Sequence, residues 1–239
     1  MSVLLEFQDV TRVHREGEGE VHALESVSLR IGYGELVAVM GPSGSGKTTL
    51  LNLAAGLDTP TSGRVLVAGR EVSSATAEDR ALLRRRQVGL VFQEYNLVSS
   101  LTALENVALP AELDGEPAHR ARQHALALLE QVGLADRADD FPDRLSGGQR
   151  QRVAIARAVS GTRELLLADE PTGALDSVLG EDVIALLRAQ IGPASGGLLV
   201  THDPRYAAWA DRTVFLADGR IVSQTAPLES VTDLLEPER

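Results

Sequence analysis

Gly41-Pro-Ser-Gly-Ser-Gly-Lys-Thr48 decides the fold of this chain. It holds Lys47, the one lysine of the sequence; every other basic side chain among the 23 is arginine. A compact ammonium fits among phosphate oxygens where a planar guanidinium fits poorly. Upstream, Leu36-Val-Ala-Val-Met40 is an apolar run that reads as a buried strand. Downstream, Thr48-Thr49-Leu-Leu-Asn-Leu-Ala-Ala55 reads as a helix. Strand, glycine loop and helix together turn backbone N–H groups onto an anion at a helix N-terminus. A chance glycine-rich turn would not have both flanks in period. The stretch implies a bound nucleoside triphosphate.

Working outward, 239 residues with 44% apolar content suffice for a buried core, in one large domain or a core with a lobe. With no cysteine, disulfides and thiolate metal sites are excluded. Aromatic residues make up 3% of the chain and the net charge is −11, so neither base stacking nor a broad basic footprint points to nucleic acid. Met1-Ser-Val-Leu-Leu-Glu6 carries acid early and has no basic region, which reads against a signal peptide. No apolar stretch is long enough to span a bilayer. The expected place is the cytoplasm.

Strands are expected over 4–10, 21–31 and 64–68, with a polar glycine-rich loop at 15–20. A basic helix over 78–86 and a strand over 88–92 follow. Residues 94–158 change character: helices are expected over 101–110, 117–132 and 147–160, with no strand between them. Sheet signals return with a strand over 164–168, a helix over 177–189 and a strand over 197–201. A hairpin over 213–217 and 220–224 turns at Asp218-Gly219. The tail after Thr225 holds four acids and one arginine and reads as a short helix. The expected fold is α/β: a phosphate-loop NTPase core, mostly parallel sheet with an N-terminal antiparallel β part, interrupted by an inserted α-helical lobe. Residues 1–93 and 159–225 form the core, 94–158 the lobe, and 226–239 the acidic tail.

Leu165-Leu-Leu-Ala-Asp-Glu170 is a strand ending in two carboxylates. Beside a phosphate loop, Asp169 is placed to hold Mg²⁺ with the Thr48 hydroxyl. Glu170, one residue on, is placed to orient or deprotonate an attacking water. Leu145-Ser146-Gly147-Gly148-Gln149 opens a second helix with a serine and two glycines. One triphosphate does not need two cradles on separate lobes of one chain, so the second reads as serving a nucleotide held by another copy.

The phosphate loop, Leu145–Gln149 and Asp169-Glu170, in that order, resemble the nucleotide-binding subunit of an ATP-binding cassette transporter. The resemblance covers roughly 4–224. It implies ATP and Mg²⁺ as ligands, with Gly41, Pro42, Ser43, Gly44, Ser45, Gly46, Lys47, Thr48 and Thr49 around the phosphates. Gln93 matches the glutamine that touches Mg²⁺ and water, and the metal set is then Thr48, Gln93 and Asp169. Ala174, Leu175 and Asp176 match the loop that crosses the dimer seam, and His202 matches the switch histidine at the γ-phosphate. Glu170, His202 and Lys47 are the implied catalytic groups. The family places an aromatic ring, often tyrosine, against adenine; this chain offers His14, with less area to stack. Asp169-Glu-Pro-Thr-Gly-Ala-Leu-Asp176 with Thr201-His-Asp-Pro204 is similar to the macrolide-efflux, lipoprotein-release and antimicrobial-peptide-resistance group.

The implied protein is an ATP-dependent, head-to-tail homodimer on the cytoplasmic face of the bacterial plasma membrane. It does not span the bilayer; it drives a separate membrane permease through the surface around 93–106. A regulatory ATPase of cell division or peptide sensing shares the same nucleotide chemistry, and import remains within the transporter reading. DNA-repair and translation relatives carry long coiled-coil or zinc insertions or paired cassettes, which this chain lacks.

Overall fold

The computed structural model describes residues 2–16, 19–173, 175 and 177–225. A six-stranded sheet is built around β3 (Leu36–Met40). β8 (Gly196–Val200) and β9 (Arg212–Ala217) flank β3, both parallel to it. β7 (Leu165–Asp169) and β6 (Val88–Val91) continue the parallel order beyond β8. β10 (Arg220–Gln224) pairs antiparallel with β9 at the other edge. The turn between them places Asp218 at φ 47° and Gly219 at φ 72°, the left-handed pair that a two-residue hairpin loop needs.

Parallel strands covered on both faces read as continuous apolar runs, and β7 shows why. Leu165 and Leu167 face one core with Val37, Val39, Leu198 and Val200. Leu166 and Ala168 face the other with Leu36 and Leu199. The first face is covered by α1 (Lys47–Ala54) through Leu50, Leu51 and Leu53, and by a second sheet. That sheet is antiparallel, in the order β2-β1-β4-β5, from β1 (Val3–Glu16), β2 (Gly19–Gly32), β4 (Ser62–Val67) and β5 (Arg70–Glu71). The helix α2 (Ala77–Arg86) has a Thr76 cap and no buried residue of its own.

Helices α3 (Ala103–Leu113), α4 (Ala118–Gln131) and α5 (Gly147–Ala158) enclose a separate core of small residues, including Ala103, Ala108, Ala121, Ala125, Val153 and Ala156. α5 joins this core to the sheet. Its Ile155 and Ala158 pack instead with Val183, Ile184 and Leu187 of α6 (Ser177–Ala189) and with Tyr206 of α7 (Pro204–Ala207).

The mixed α/β architecture matches the expected fold class, most boundaries shift by one or two residues, and three shifts are instructive. β1 runs to Glu16 rather than ending at Val10, and β2 begins at Gly19, so most of the expected 15–20 loop is strand. The reason is a bulge: Asp9 sits at φ 48° with its N–H on the Ser28 hydroxyl, and pairing shifts register between Phe7 and Val10 before resuming. That extra residue breaks the period-two pattern. The helix expected over 101–110 occupies Ala103–Leu113, with Pro110 inside it. Burial of Val107 and Ala108 offsets the backbone bond that proline removes. The tail helix expected after Thr225 lies outside the described residues.

Candidate nucleotide site

Four of the predicted site segments leave one edge of the sheet in strand order. The 41–49 loop follows β3, His202 follows β8, Glu170 follows β7 and Gln93 follows β6. Ligands bind outside the carboxyl ends of such strands because backbone and loops converge there.

The loop is wedged against the sheets by its glycines. Gly46 caps α1 at φ 102°, and a Cβ there would lie 2.2 Å from the Ala23 carbonyl. Ala23 is the residue skipped by the register shift that pairs Arg12 with Leu24 and Val13 with His22. A Cβ on Gly41 would lie 2.0 Å from the Leu216 carbonyl, which locks the loop's start onto β9. At Gly44, by contrast, a Cβ would meet nothing within 4 Å among the described residues, and Pro42 and Ser43 are exposed. Ser45 is 2% exposed and its hydroxyl has no partner among the described residues. The Lys47 ammonium donates to the carbonyls of Gly41 and Pro42, both at 2.8 Å. Thr49 is half-buried in the first turn of α1.

Thr48 hydrogen-bonds the Asp169 carboxylate at the end of β7. The other Asp169 oxygen, Oδ1, is buried with no partner among the described residues. Burial is the largest influence on this carboxyl and pushes it above its ordinary range; the Thr48 bond pulls it down, Glu170 raises it and the Lys47 charge lowers it. A hydroxyl beside a desolvated carboxylate with a free oxygen is a donor set that fits a hard divalent cation.

Glu170 turns sharply off the strand at φ 45°, with its N–H on the Val200 carbonyl at 3.0 Å. That bend carries its carboxylate to His202, whose Nδ1 lies 3.0 and 2.9 Å from the two oxygens. Glu170 is 19% exposed at the side chain and His202 73%, so the pair sits at the rim. Gln93 is exposed beyond β6; a Cβ on Gly173 would lie 2.9 Å from its Nε2. Gly173 donates its N–H to the Glu170 carbonyl at 3.0 Å, so Gln93 reaches the Glu170 turn. His14 is half-buried on β1 opposite Val21, two residues from the Ala23 carbonyl that meets Gly46.

Leu145–Gln149 is a separate construction. Ser146 caps α5 and accepts from the Gln149 N–H at 3.3 Å, and the Gln149 side chain accepts from the Ser146 N–H at 2.8 Å. Leu145 is buried, and a Cβ on Gly148 would lie 3.2 Å from Leu179. Gly147, half-buried, begins the helix. None of these contacts reaches the 41–49 loop. Leu175 is half-buried with its N–H on the Thr172 carbonyl at 3.0 Å, while Ala174 and Asp176 lie outside the described residues.

Sequence reasoning missed three residues that shape the approach from Gln93. Asn106 is fully buried and bonds Val98 N–H and the carbonyls of Val98, Leu101 and Thr102. Arg157 donates to the carbonyls of Tyr95 and Asn96, and Arg150 stands over the Tyr95 ring. The available signal was a polar residue set within each apolar helical run, Asn106 in one and Arg157 in the other.

The family described as ABC transporter matches residues 24–173. The chain belongs to the ABC transporter family. It is an ATP-binding cassette, the ATPase unit of that family, which works with ATP and Mg²⁺. It is similar to the macrolide export ATP-binding/permease protein MacB of Brucella melitensis, 48% identical over 93% of this chain and 34% of that protein. MacB of Salmonella typhimurium is likewise 48% identical over 93% of this chain and 34% of its own length. The chain thus spans about a third of the curated relatives it matches. The dimeric post-hydrolysis structure of the cassette MJ0796, bound to ADP and Pi, superposes with a TM-score of 0.88 at 38% identity. That match covers 95% of this chain and all of the other. No helix among the described residues is long and apolar enough to cross a membrane.

Proposed function

We propose that this cassette dimerises head-to-tail on ATP, hydrolyses it at two shared sites and drives a membrane permease component of export type. The observation that carries the reading is the separation of two anion-binding ends. The 41–49 loop lies at the sheet edge with Asp169, Glu170 and His202, while the Ser146 helix end opens from another lobe of the same chain. A second copy brings its Ser146, Gly147 and Gly148 to the nucleotide on the first loop. The dimeric state of MJ0796 and the permease named with MacB support the arrangement.

Within the site, loop N–H groups and Lys47 bind the phosphates, and His14 stacks on the base. Thr48, Asp169 and Gln93 hold Mg²⁺, which when bound offsets phosphate charge. Glu170 orients the attacking water, and His202, held by Glu170, presents its ring to the γ-phosphoryl group. Leu175 faces the seam between copies. Residues 94–158 form the lobe that conveys closure to the permease at the cytoplasmic face of the plasma membrane.

Glu170→Gln tests the core of this reading. The variant should bind ATP, hydrolyse it very slowly and elute as a dimer with ATP but as a monomer with ADP. An elution volume indifferent to ATP would refute the ATP-driven pair. Purification from native membranes would show which permease polypeptide carries or accompanies the cassette.

A further inference from the structure

Between Gln93 and α3 the chain adopts a conformation that it does not hold unaided. Tyr95 at φ 58° and Asn96 at φ 48° are consecutive non-glycine residues in the left-handed region, which asparagine tolerates and which strains tyrosine. Arg157 supplies what holds them. One guanidinium nitrogen donates to the Tyr95 carbonyl at 2.9 Å and another to the Asn96 carbonyl. A planar fork suits two carbonyls of one turn, and the half-buried guanidinium meets both. Two helical turns earlier on α5, the Arg150 guanidinium lies 5.3 Å from the Tyr95 ring centroid. Arg150 also donates to the Leu145 carbonyl at 2.9 Å, immediately before the Ser146 cap. Tyr95 is therefore held twice from α5, by its carbonyl and by its ring.

These contacts join the two halves of the chain's nucleotide chemistry. Glu170, Gly173, Gln93, Tyr95, Arg157 with Arg150, and Leu145 form a contiguous run from the sheet edge to the Ser146 helix end. We propose that Arg157, assisted by Arg150, is a positioning residue that sets α5 against the 93–96 segment, so that Ser146 and its glycines meet the nucleotide on the partner's loop. It touches neither phosphate nor water. The proposal rests on the shared-site reading, and the experiment distinguishes the two.

Lys47→Ala removes a working loop and Ser146→Arg a working helix end, so a mixed dimer of these variants holds one intact site. Its loop comes from the Ser146→Arg copy and its helix end from the Lys47→Ala copy. With Glu170→Gln in all copies, the parent mixture should retain radiolabelled ATP through desalting. Arg157→Met in the Lys47→Ala copy should reduce retention about tenfold or more, the scale of one lost positioning contact. In the Ser146→Arg copy it should change retention by less than about twofold, because Gln93 keeps its own contact with Gly173. Arg157→Lys in the Lys47→Ala copy should recover part of the loss. Arg150→Met gives the same asymmetry should the Arg157→Met copy not fold. Equal loss in both copies, or none in either, overturns the positioning role. No retention in the parent mixture removes the shared site itself, and this proposal with it.

Discussion

Asp169→Asn should make the isolated chain more stable while destroying its use of magnesium. The substitution keeps the shape of the side chain and an oxygen that can accept from Thr48, and it removes the charge. In the fold, Oδ1 is buried without a partner among the described residues, and Thr48 hydrogen-bonds the carboxylate. An unsatisfied buried polar atom costs about 1–3 kcal/mol, more when charged, and an amide at the same place still carries part of that cost. The gain attributable to charge is then about 1 kcal/mol, which for a chain of this size raises Tm by roughly 2–4 °C. The sign follows from the titration. Asp169 binds its proton more tightly in the fold than in the unfolded chain, whose carboxyl titrates near 3.8. Its contribution to stability is complete below that value and is lost as pH rises through the raised one. The variant's advantage is therefore largest at neutral and alkaline pH and shrinks toward the carboxylate range.

Thermal unfolding in EDTA without nucleotide, at pH 8 and pH 5, reads the first half of this prediction. Adding ATP and then Mg²⁺ reads the second: a ligand at a hundred times its Kd stabilises by about 2.7 kcal/mol, and only the original chain should gain the magnesium-dependent part. The order of the two Tm values should invert. A variant less stable than the original in EDTA at pH 8, or an equal gain from Mg²⁺ in both, would refute the assignment of Asp169 as a buried cation ligand.

Lys47→Arg should lower ATPase to about 1% or less of the original rate, because the ammonium reaches Gly41 and Pro42 carbonyls where a guanidinium fork does not fit. His14→Tyr should tighten ATP binding by about 0.5–1.5 kcal/mol, read as a lower Kd; if His14→Tyr and His14→Ala both leave Kd unchanged, His14 does not face the base. Gly46→Ala should abolish ATP binding and lower Tm, since a Cβ 2.2 Å from the Ala23 carbonyl must displace the loop or the bulge beneath it.

The nucleotide edge was legible because its signals are local. A glycine loop between an apolar strand and a helix, or two acids at a strand end, states its geometry within ten residues. The long β1–β2 arm was not legible past Val10, because the Asp9 bulge shifts the side-chain phase and the following residues, Thr11 to Arg15, are mostly polar. The Glu170–His202 contact is a pairing across 32 positions, set by β7 lying beside β8, and no local pattern reports strand order. The Arg157 hold on Tyr95 and Asn96 needs both the left-handed turn and the helix that passes beneath it, neither of which leaves a period in the sequence.

The arginine-rich composition takes on a physical division of labour once the chain is folded. Arg157 gathers two successive carbonyls, of Tyr95 and Asn96. Arg163 does the same for Arg84 and Arg85 and adds the Ser160 carbonyl, tying α2 to the segment before β7. Arg150 takes Leu145 while lying over an aromatic ring. Each arrangement uses a rigid fork of donors that stays charged when half-buried, and an ammonium would meet only part of it. The loop around Lys47 asks for the opposite: a point charge that can pivot between its own carbonyls and a phosphate oxygen. Replacing arginine with lysine should therefore be tolerated at the exposed Arg15 or Arg30 and should keep only part of the function at the half-buried Arg157 or Arg163, whatever first filled the chain with arginine.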